Sequence, residues 1–550
     1  MIQEFLDRIA VMVVFLFSAE SARQFAQQTA DPPISQFQDE SDDGRALSEY
    51  EHITNCSQGV DDQGLENTST FEESTETDAL RTTEDNNNNN EGNKSTVHGT
   101  ISNVVRHEQI SVLRSCKTSL CISFTITVVV IPVSMVMISV LYINVNTSNL
   151  CYQQLLNNKS LPHEFMKYVI TGHDIEGMAL NFWFQLMLVL LFGWKKFKSQ
   201  HSSTLLLGFV LGLLVVIFKT TLFLVNIDFT QTKYRYPGNA VFLFGVVYTS
   251  HLVAKRVCTT FSSDAIRLKK RHVFAIVSTQ FFFGFLIAMA YRYTFVPWYR
   301  STNNGIDQAS IAMITPILII LPMVISEKLA IKGLPFTDAS RIFVLVYFVN
   351  GVSILLYCIM QAGVNDLNIF IALSVFRGVF QVFRTATVKL RRKCCTGIWK
   401  CLKRMCTSCP PLGELEESSY CCRLRVDKEI QIMLYQGIAI IISQAYLVIY
   451  LTSNYHVETR DVLEEFIMKR VFIGIGISFV ANFLSILIHI HWHKTQLTKV
   501  WSSHWKLHLL AVTLVGIMTI CYFSAVLLGL FETFAHLKKY HIKDCTEPFQ

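Results

Sequence analysis

Apolar stretches long enough to cross a bilayer recur from residue 120 onward, and they constrain the fold more than any other feature. A hydrocarbon core of about 30 Å needs roughly 20 apolar residues in helical form, and only helices or closed barrels satisfy backbone hydrogen bonds inside it. The eleven stretches are 120–143, 177–194, 204–227, 240–254, 273–295, 309–326, 342–362, 367–388, 430–451, 471–489 and 507–530. We therefore predict an all-α, polytopic transmembrane helical bundle.

The charge distribution separates an acidic head from a basic body. Residues 1–117 hold 8 Lys and Arg against 21 Asp and Glu, a net charge of −13, whereas the remaining residues carry +19. Only 16% of the 550 residues are charged, against about 25% in soluble proteins. The polar head lacks the apolar area that would offset its ordering entropy, so we predict a disordered tail.

The apolar segment 9–17 near the start of the chain has three readings. Small residues follow it, as in a signal peptide, but Glu4 and Asp7 accompany Arg8 where such peptides are positively charged. The segment is also too short to span. A short interfacial helix is favoured, with a cleaved signal or a twelfth span as alternatives.

The predicted spans divide the chain into five parts. These are an acidic cytoplasmic tail (1–117), helices 1–8 (118–393), a basic Cys-rich cytoplasmic loop (394–428), helices 9–11 (429–531) and a short tail (532–550).

The orientation follows from the basic loops, because cytoplasmic loops retain Lys and Arg. The basic runs 195–198, 255–256, 267–271 and 389–393 share one side when the N-terminal tail is cytoplasmic. The outer side then carries the sequons at Asn146 and Asn158, which predict glycosylation. Cys151 and Cys545 also fall there, where a disulfide can form. We expect a multi-pass protein of the plasma membrane.

Charges inside the spans are all cationic in this reading. None of the 21 acidic residues after position 117 falls in a span interior, and the nearest are Asp228, Glu327 and Glu429 at the edges. The interior cations are Lys219, Arg292, Arg377 and Arg384, and we expect Lys219, Arg377 and Arg384 to face no buried acid. Buried charge is expensive and tends to mark function, so the pattern disfavours a carrier that binds Na⁺ or H⁺ through buried carboxylates.

Three spans carry polar stripes at helical spacing. The stripes are Asn350, Ser353, Tyr357 and Gln361 in the seventh span; Ser374, Arg377, Gln381 and Arg384 in the eighth; and Ser478, Asn482, Ser485 and His489, continuing to His493, in the tenth. Such faces can enclose a hydrated transport path. Interhelical hydrogen bonding explains each stripe as well, so both readings stay open.

The histidines near position 490 admit two interpretations. His489 and His493 share a helical face, a spacing that suits two metal ligands or a proton relay. No carboxylate or Cys nearby completes a zinc shell, so we predict no metal site. An interfacial belt with Trp492 is the simpler reading.

The cytoplasmic loop near position 400 is rich in cysteine and basic residues. Membrane-proximal Cys in this setting indicates S-palmitoylation, and the candidates are Cys394, Cys395 and Cys401. Unmodified reduced thiols and metal binding are alternatives, although Cys406-x-x-Cys409 is the only CxxC pair. The basic residues should also favour anionic inner-leaflet lipid as a partner.

Several segments together resemble the otopetrin family of proton channels in order and spacing. The resemblance is carried by 463–494, by Phe383-Arg384 with the basic run 389–393, and by Tyr236-Pro237 with Lys255-Arg256. It covers about residues 118–500 and implies a proton channel. Otopetrins have twelve helices with both ends inside, whereas this chain lacks counterparts of the first two helices and of the acidic pore residues, and it adds 507–530. No pore or gating residue is carried over except the polar stripes already found from periodicity.

The sequence therefore predicts a channel or transporter for small ions, either protons or anions, with its path along the seventh, eighth and tenth spans. The alternative is a lipid scramblase or another lipid-handling protein, in which interior cations meet phosphate headgroups. No phosphate-binding loop occurs, and we expect no enzymatic activity, no cofactor and no nucleic-acid partner. The sequence leaves homo-oligomerisation open.

Overall fold

Eleven long helices account for most of the described residues in the computed structural model. It describes residues 95–550 with gaps at 157–160, 228–231, 261–269, 334–336, 391–418 and 458–466 and at the single positions 303, 339, 389, 496, 546 and 550; side chains are described from Val112 onward, with a few omitted. The helices are α1 Ser95–Asn146, α2 His163–Phe192, α3 Trp194–Leu224, α4 Thr232–Thr260, α5 Lys270–Ala290, α6 Gly305–Lys332, α7 Val344–Ala362, α8 Leu367–Ala386, α9 Ser419–Asn454, α10 Met468–Leu487 and α11 Leu497–Leu528.

The all-α multi-pass fold is confirmed. Within the described residues, nine helices are long and apolar enough to cross a membrane, namely α1 to α4 and α7 to α11. The predicted fifth and sixth stretches coincide with α5 and α6, which have 21 and 28 residues. Eleven spans remain the prediction for the whole chain.

Helix boundaries differ from the predicted ones mainly at the polar ends. α2 begins at His163 and α9 at Ser419, before the predicted starts at 177 and 430. α1 begins at Ser95, inside the predicted tail, and residues 1–94 lie outside the described part of the chain. Helices therefore continue past the apolar window, and they carry charged residues into the bundle.

The centre of the bundle is formed by α7 and α9. Of their most apolar 18-residue windows, 94% and 89% of residues are buried. α7 has no Asp, Glu, Lys or Arg, which lets neighbours surround it on all sides. Tyr347 of α7 meets Tyr435 of α9 edge-to-face, with ring centroids 5.7 Å apart. By contrast α3 exposes a long row of aliphatic residues, as expected of a helix at the lipid boundary.

The loop after α1 and the tail after α11 are joined covalently. A disulfide links Cys151 to Cys545, and Tyr455 forms an isolated antiparallel bridge with Ile542. These two chain segments therefore lie on the same side, as the charge-based topology requires. We call this the outer side and the opposite one the inner side.

The exposed face of α8 is aromatic and aliphatic and lies beside its polar stripe. The exposed members are Val375, Phe376, Val379, Phe380 and Phe383. The helix starts at an Asp366 cap, whose carboxylate accepts a hydrogen bond of 2.8 Å from the Asn368 amide. Arg384 lies in the last turn, where a cation is favourable against the helix dipole.

Candidate functional site

A groove between α6, α7, α8 and α9 collects polar side chains from three of these helices. Its volume is about 360 Å³, at the lower end of the range of about 300–1,000 Å³ typical of small-molecule sites. Its polar lining consists of Asn350, Ser353 and Tyr357 from α7, Arg377, Gln381, Arg384 and Thr387 at α8, and Gln436 from α9. We call it the α8 groove.

The α8 groove contains six of the residues that we predicted to line a transport path. They are Asn350, Ser353, Tyr357, Arg377, Gln381 and Arg384. The polar faces of α7 and α8 therefore meet on one concave surface. The remaining lining is apolar and comes from Met, Ile and Phe side chains.

Arg377 supplies a cation to the groove. Its guanidinium is half-buried, and Nη1 donates a hydrogen bond to the Cys358 sulfur at 2.7 Å. No carboxylate of the described residues pairs with it. Because a guanidinium at membrane depth is costly without an anion or water, this charge is left available to a negatively charged group that enters the groove.

Arg384 marks the inner end of the groove, and its surroundings correct one expectation. Its Nη2 donates to Glu429 Oε2 at 2.7 Å, and the Glu429 side chain is 4% exposed. Lys428 of the same turn of α9 pairs with Glu327 of α6. The prediction that Arg384 faces no buried acid is wrong, because α9 starts early enough to bring Glu429 inside the bundle.

Gln361 and Ser374, two residues of the predicted path, connect α7 to α8 and do not line the groove. Gln361 Nε2 donates to the Phe370 carbonyl at 2.9 Å and also to the Ser374 hydroxyl. Tyr357 lies at the groove, and its hydroxyl donates to the Leu373 carbonyl at 3.1 Å. These bonds hold the outer halves of the two helices together.

The polar stripe of α10 lies behind α8, outside the groove. Asn482 Oδ1 accepts a hydrogen bond from Gln381 Nε2 at 2.9 Å, which connects this stripe to the groove lining. Ser478, Ser485 and His489 are buried, and their side-chain polar atoms have no hydrogen-bond partner among the described residues. The tenth-span part of the predicted path stays a prediction.

The histidine cluster lies at a change of helical pitch. Residues Ile488–Trp492 form a π-turn, a feature often found at functional positions. The rings of His489 and His493 are 5.6 Å apart, and His493 Nε2 is 3.0 Å from the Thr385 carbonyl. No group of three potential metal-binding side chains occurs in the part of the chain that the structure describes.

Charged residues of α2 form a second polar cluster, which was not predicted from the sequence. Glu176 accepts a hydrogen bond from Asn144 and lies 3.1 Å from His173 Nδ1. Lys219 Nζ donates to the His173 carbonyl at 2.9 Å, and Asp174 bonds to Thr220. The expectation that Lys219 faces no acid is therefore wrong: the predicted span began at 177, one residue after Glu176.

A further buried cation lies at the outer end of α10. Arg470 is 1% exposed and donates to the carbonyls of Ala362 at 3.0 Å and Asn365 at 2.8 Å. Its guanidinium also lies 5.3 Å from the centre of the Phe370 ring. Arg470 was not predicted to lie inside the bundle, because the predicted tenth span starts at 471. Arg470 fastens the α7–α8 turn to α10.

The predicted modification sites are only partly described. Asn146 is buried, and its Nδ2 donates to the Tyr142 carbonyl at 2.9 Å, so the described conformation leaves little room for a glycan on this nitrogen. Asn158 lies outside the described residues, as do the predicted palmitoylation sites Cys394, Cys395 and Cys401. Modification at all of these positions stays a prediction.

Comparison with known proteins adds no family. No protein-family model, no curated protein and no solved structure matches the chain. The otopetrin resemblance therefore stays a prediction, and the functional argument depends on the geometry of the site itself.

Proposed function

We propose that this multi-pass membrane protein transports an anionic solute and that the α8 groove is its solute site. The observation that carries the proposal is Arg377, a cation in a groove at membrane depth that no described carboxylate neutralises. An anion that enters the groove would neutralise the positive charge of Arg377.

The other polar groups of the groove support binding of an anion. Ser353 and Gln436 line it without a hydrogen-bond partner among the described residues, and hydroxyl and amide groups donate to anions. Arg384, by contrast, is paired with Glu429. The charge in the groove is therefore concentrated at Arg377, which favours one negative group at a time.

The positions of Arg377 and Arg384 support movement of the solute along the groove rather than binding at its inner end alone. Arg377 precedes Arg384 by two helical turns, which places it about 10 Å further from the inner end of α8. A solute that approaches from the inner side meets the Arg384–Glu429 pair first and Arg377 afterwards. Proton conduction, the other ion considered from the sequence, gains no support from the groove itself.

The proposal is tested by flux measurements on the full chain in liposomes of neutral lipid. The protein should carry an anion flux that Arg377→Gln reduces about tenfold or more and that Arg377→Lys partly retains, because a point charge replaces the guanidinium fork. Lys469→Gln, an exposed cation of α10 outside the groove, should leave the flux unchanged. Flux that is absent for every anion tried, including an anionic phospholipid, or that is indifferent to Arg377, would refute the proposal.

A further inference from the structure

The walls of the α8 groove point to the class of solute. Phe376, Phe380 and Phe383 line it and are 46%, 43% and 61% exposed in the isolated chain. Ile320 of α6 faces it from the other wall and is 42% exposed. Side chains that are exposed on the flank of a transmembrane helix contact lipid, so the groove opens sideways into the bilayer.

The chemistry of the groove is divided between its floor and its rim. Arg377, Ser353 and Gln436 offer charge and hydrogen bonds, whereas the phenylalanine row offers an apolar surface along the same helix. A small inorganic anion would use only the polar part and would gain nothing from the aromatic rim. A molecule with a negative head and a hydrocarbon chain would use both.

The residues of the groove also indicate which headgroup the solute carries and from which leaflet of the bilayer it comes. The cation that no described carboxylate neutralises, Arg377, is an arginine, and the planar guanidinium of arginine binds phosphate through two parallel hydrogen bonds. The groove begins at Arg384 and Thr387, next to the inner end of α8. The inner leaflet is the one that carries anionic phospholipids.

Resting on the proposed function, we propose that the solute is an anionic phospholipid of the inner leaflet. Its phosphate enters the groove past the Arg384–Glu429 pair and binds at Arg377, while its acyl chains stay in the bilayer against Phe376, Phe380 and Phe383. The volume of about 360 Å³ then has to hold only the headgroup and its water, at about 30 Å³ for each water molecule.

The experiment follows fluorescent phosphatidylserine between the leaflets of liposomes that contain the full chain, with quenching of the outer leaflet by dithionite. The wild type should accelerate transfer, and Arg377→Gln should slow it about tenfold or more. Phe380→Trp should also slow it, because the larger ring narrows the groove without removing charge. Phe472→Trp alters a phenylalanine of α10 that is 66% exposed and outside the groove, and it should leave transfer unchanged.

The same liposomes report a small-anion flux, which separates the two proposals. Phospholipid transfer that depends on Arg377 and Phe380 supports both, whether or not small anions pass. A small-anion flux that depends on Arg377, without phospholipid transfer, would overturn the phospholipid assignment and leave the proposed function standing. Neither activity, in variants that elute as a single species by gel filtration, would overturn both. Transfer that Arg377→Gln and Phe380→Trp leave intact would also exclude the groove as the lipid path.

Discussion

Arg384 of α8 and Glu429 of α9 form a buried ion pair at the inner end of the α8 groove, with 2.7 Å between Nη2 and Oε2. The pair joins α8, which precedes the Cys-rich loop in the chain, to α9, which follows the start of that loop. Gln381, one helical turn before Arg384, donates to Asn482 Oδ1 at 2.9 Å. That hydrogen bond connects the groove lining to the buried polar face of α10.

Breaking this pair from one side should destabilise the bundle. Glu429→Gln removes the carboxylate that pairs with the Arg384 guanidinium, and removing one partner of a buried pair costs about 3–5 kcal/mol. The double variant Arg384→Gln/Glu429→Gln should recover part of this loss, because no unpaired charge remains. Thermal unfolding in detergent, followed by intrinsic fluorescence, provides the measurement.

The control for that experiment is an exposed pair of the same chemistry. Arg341 lies 3.4 Å from Asp338, whose side chain is 63% exposed. Asp338→Asn should change stability by about 1 kcal/mol or less, as for other surface pairs. Equal losses for Glu429→Gln and Asp338→Asn would contradict the burial of the Arg384–Glu429 pair.

The packing of α5 against the central helix α7 should tolerate no added carbon at Gly284. A Cβ placed there would clash with Cε1 of Phe348, whose ring is buried and packs against Trp183 and Phe281. We expect Gly284→Ala to destabilise the protein by about 1–3 kcal/mol, the usual cost of overpacking. The change in unfolding temperature measures it.

Gly476 of α10 provides the matched substitution. A Cβ there meets nothing within 4 Å, and Ala is the better helix former by about 1 kcal/mol. Gly476→Ala should therefore leave the unfolding temperature unchanged or raise it. A loss at Gly476 as large as that at Gly284 would argue against the described contact between α5 and α7.

The sequence predicted the positions of the helices well because each crossing needs a long apolar run. It also placed Arg377, Gln381, Asn350 and Ser353 on faces that do meet at one groove, since helical periodicity alone determines which residues share a face. Periodicity cannot determine which neighbouring helix packs against each face. The α7 and α8 stripes share the groove, whereas that of α10 packs behind α8.

The charged pairs were missed for a different reason. The predicted spans 177–194 and 430–451 were started directly after a carboxylate, so Glu176 and Glu429 were left outside. A helix can carry a carboxylate inward when a cation from another helix meets it, as Arg384 meets Glu429. That compensation depends on tertiary structure and cannot be detected within one segment.

The Glu176 cluster should be a structural requirement of the α1–α2–α3 contact. Glu176→Ala leaves Asn144, His173 and the nearby Lys219 amine without this carboxylate, so we expect a loss of about 1–3 kcal/mol or more. Glu164 in the first turn of the same helix is exposed, and Glu164→Ala should fall within about 0.5 kcal/mol of the wild type. Denaturation in mild detergent compares the two variants, and equal stabilities would count against the cluster.

The Cys151–Cys545 disulfide predicts both a covalent link and a topology. In intact cells, a membrane-impermeant phosphine should reduce this bond and expose two thiols to an impermeant maleimide. Cys422, an exposed thiol near the inner end of α9, should react only after permeabilisation. In Cys151→Ser/Cys545→Ser the outer label should disappear, and stability should fall by about 2–5 kcal/mol, as for other native disulfides. Labelling of Cys422 from outside, or protection of Cys151 and Cys545 after reduction, would reverse the assigned orientation.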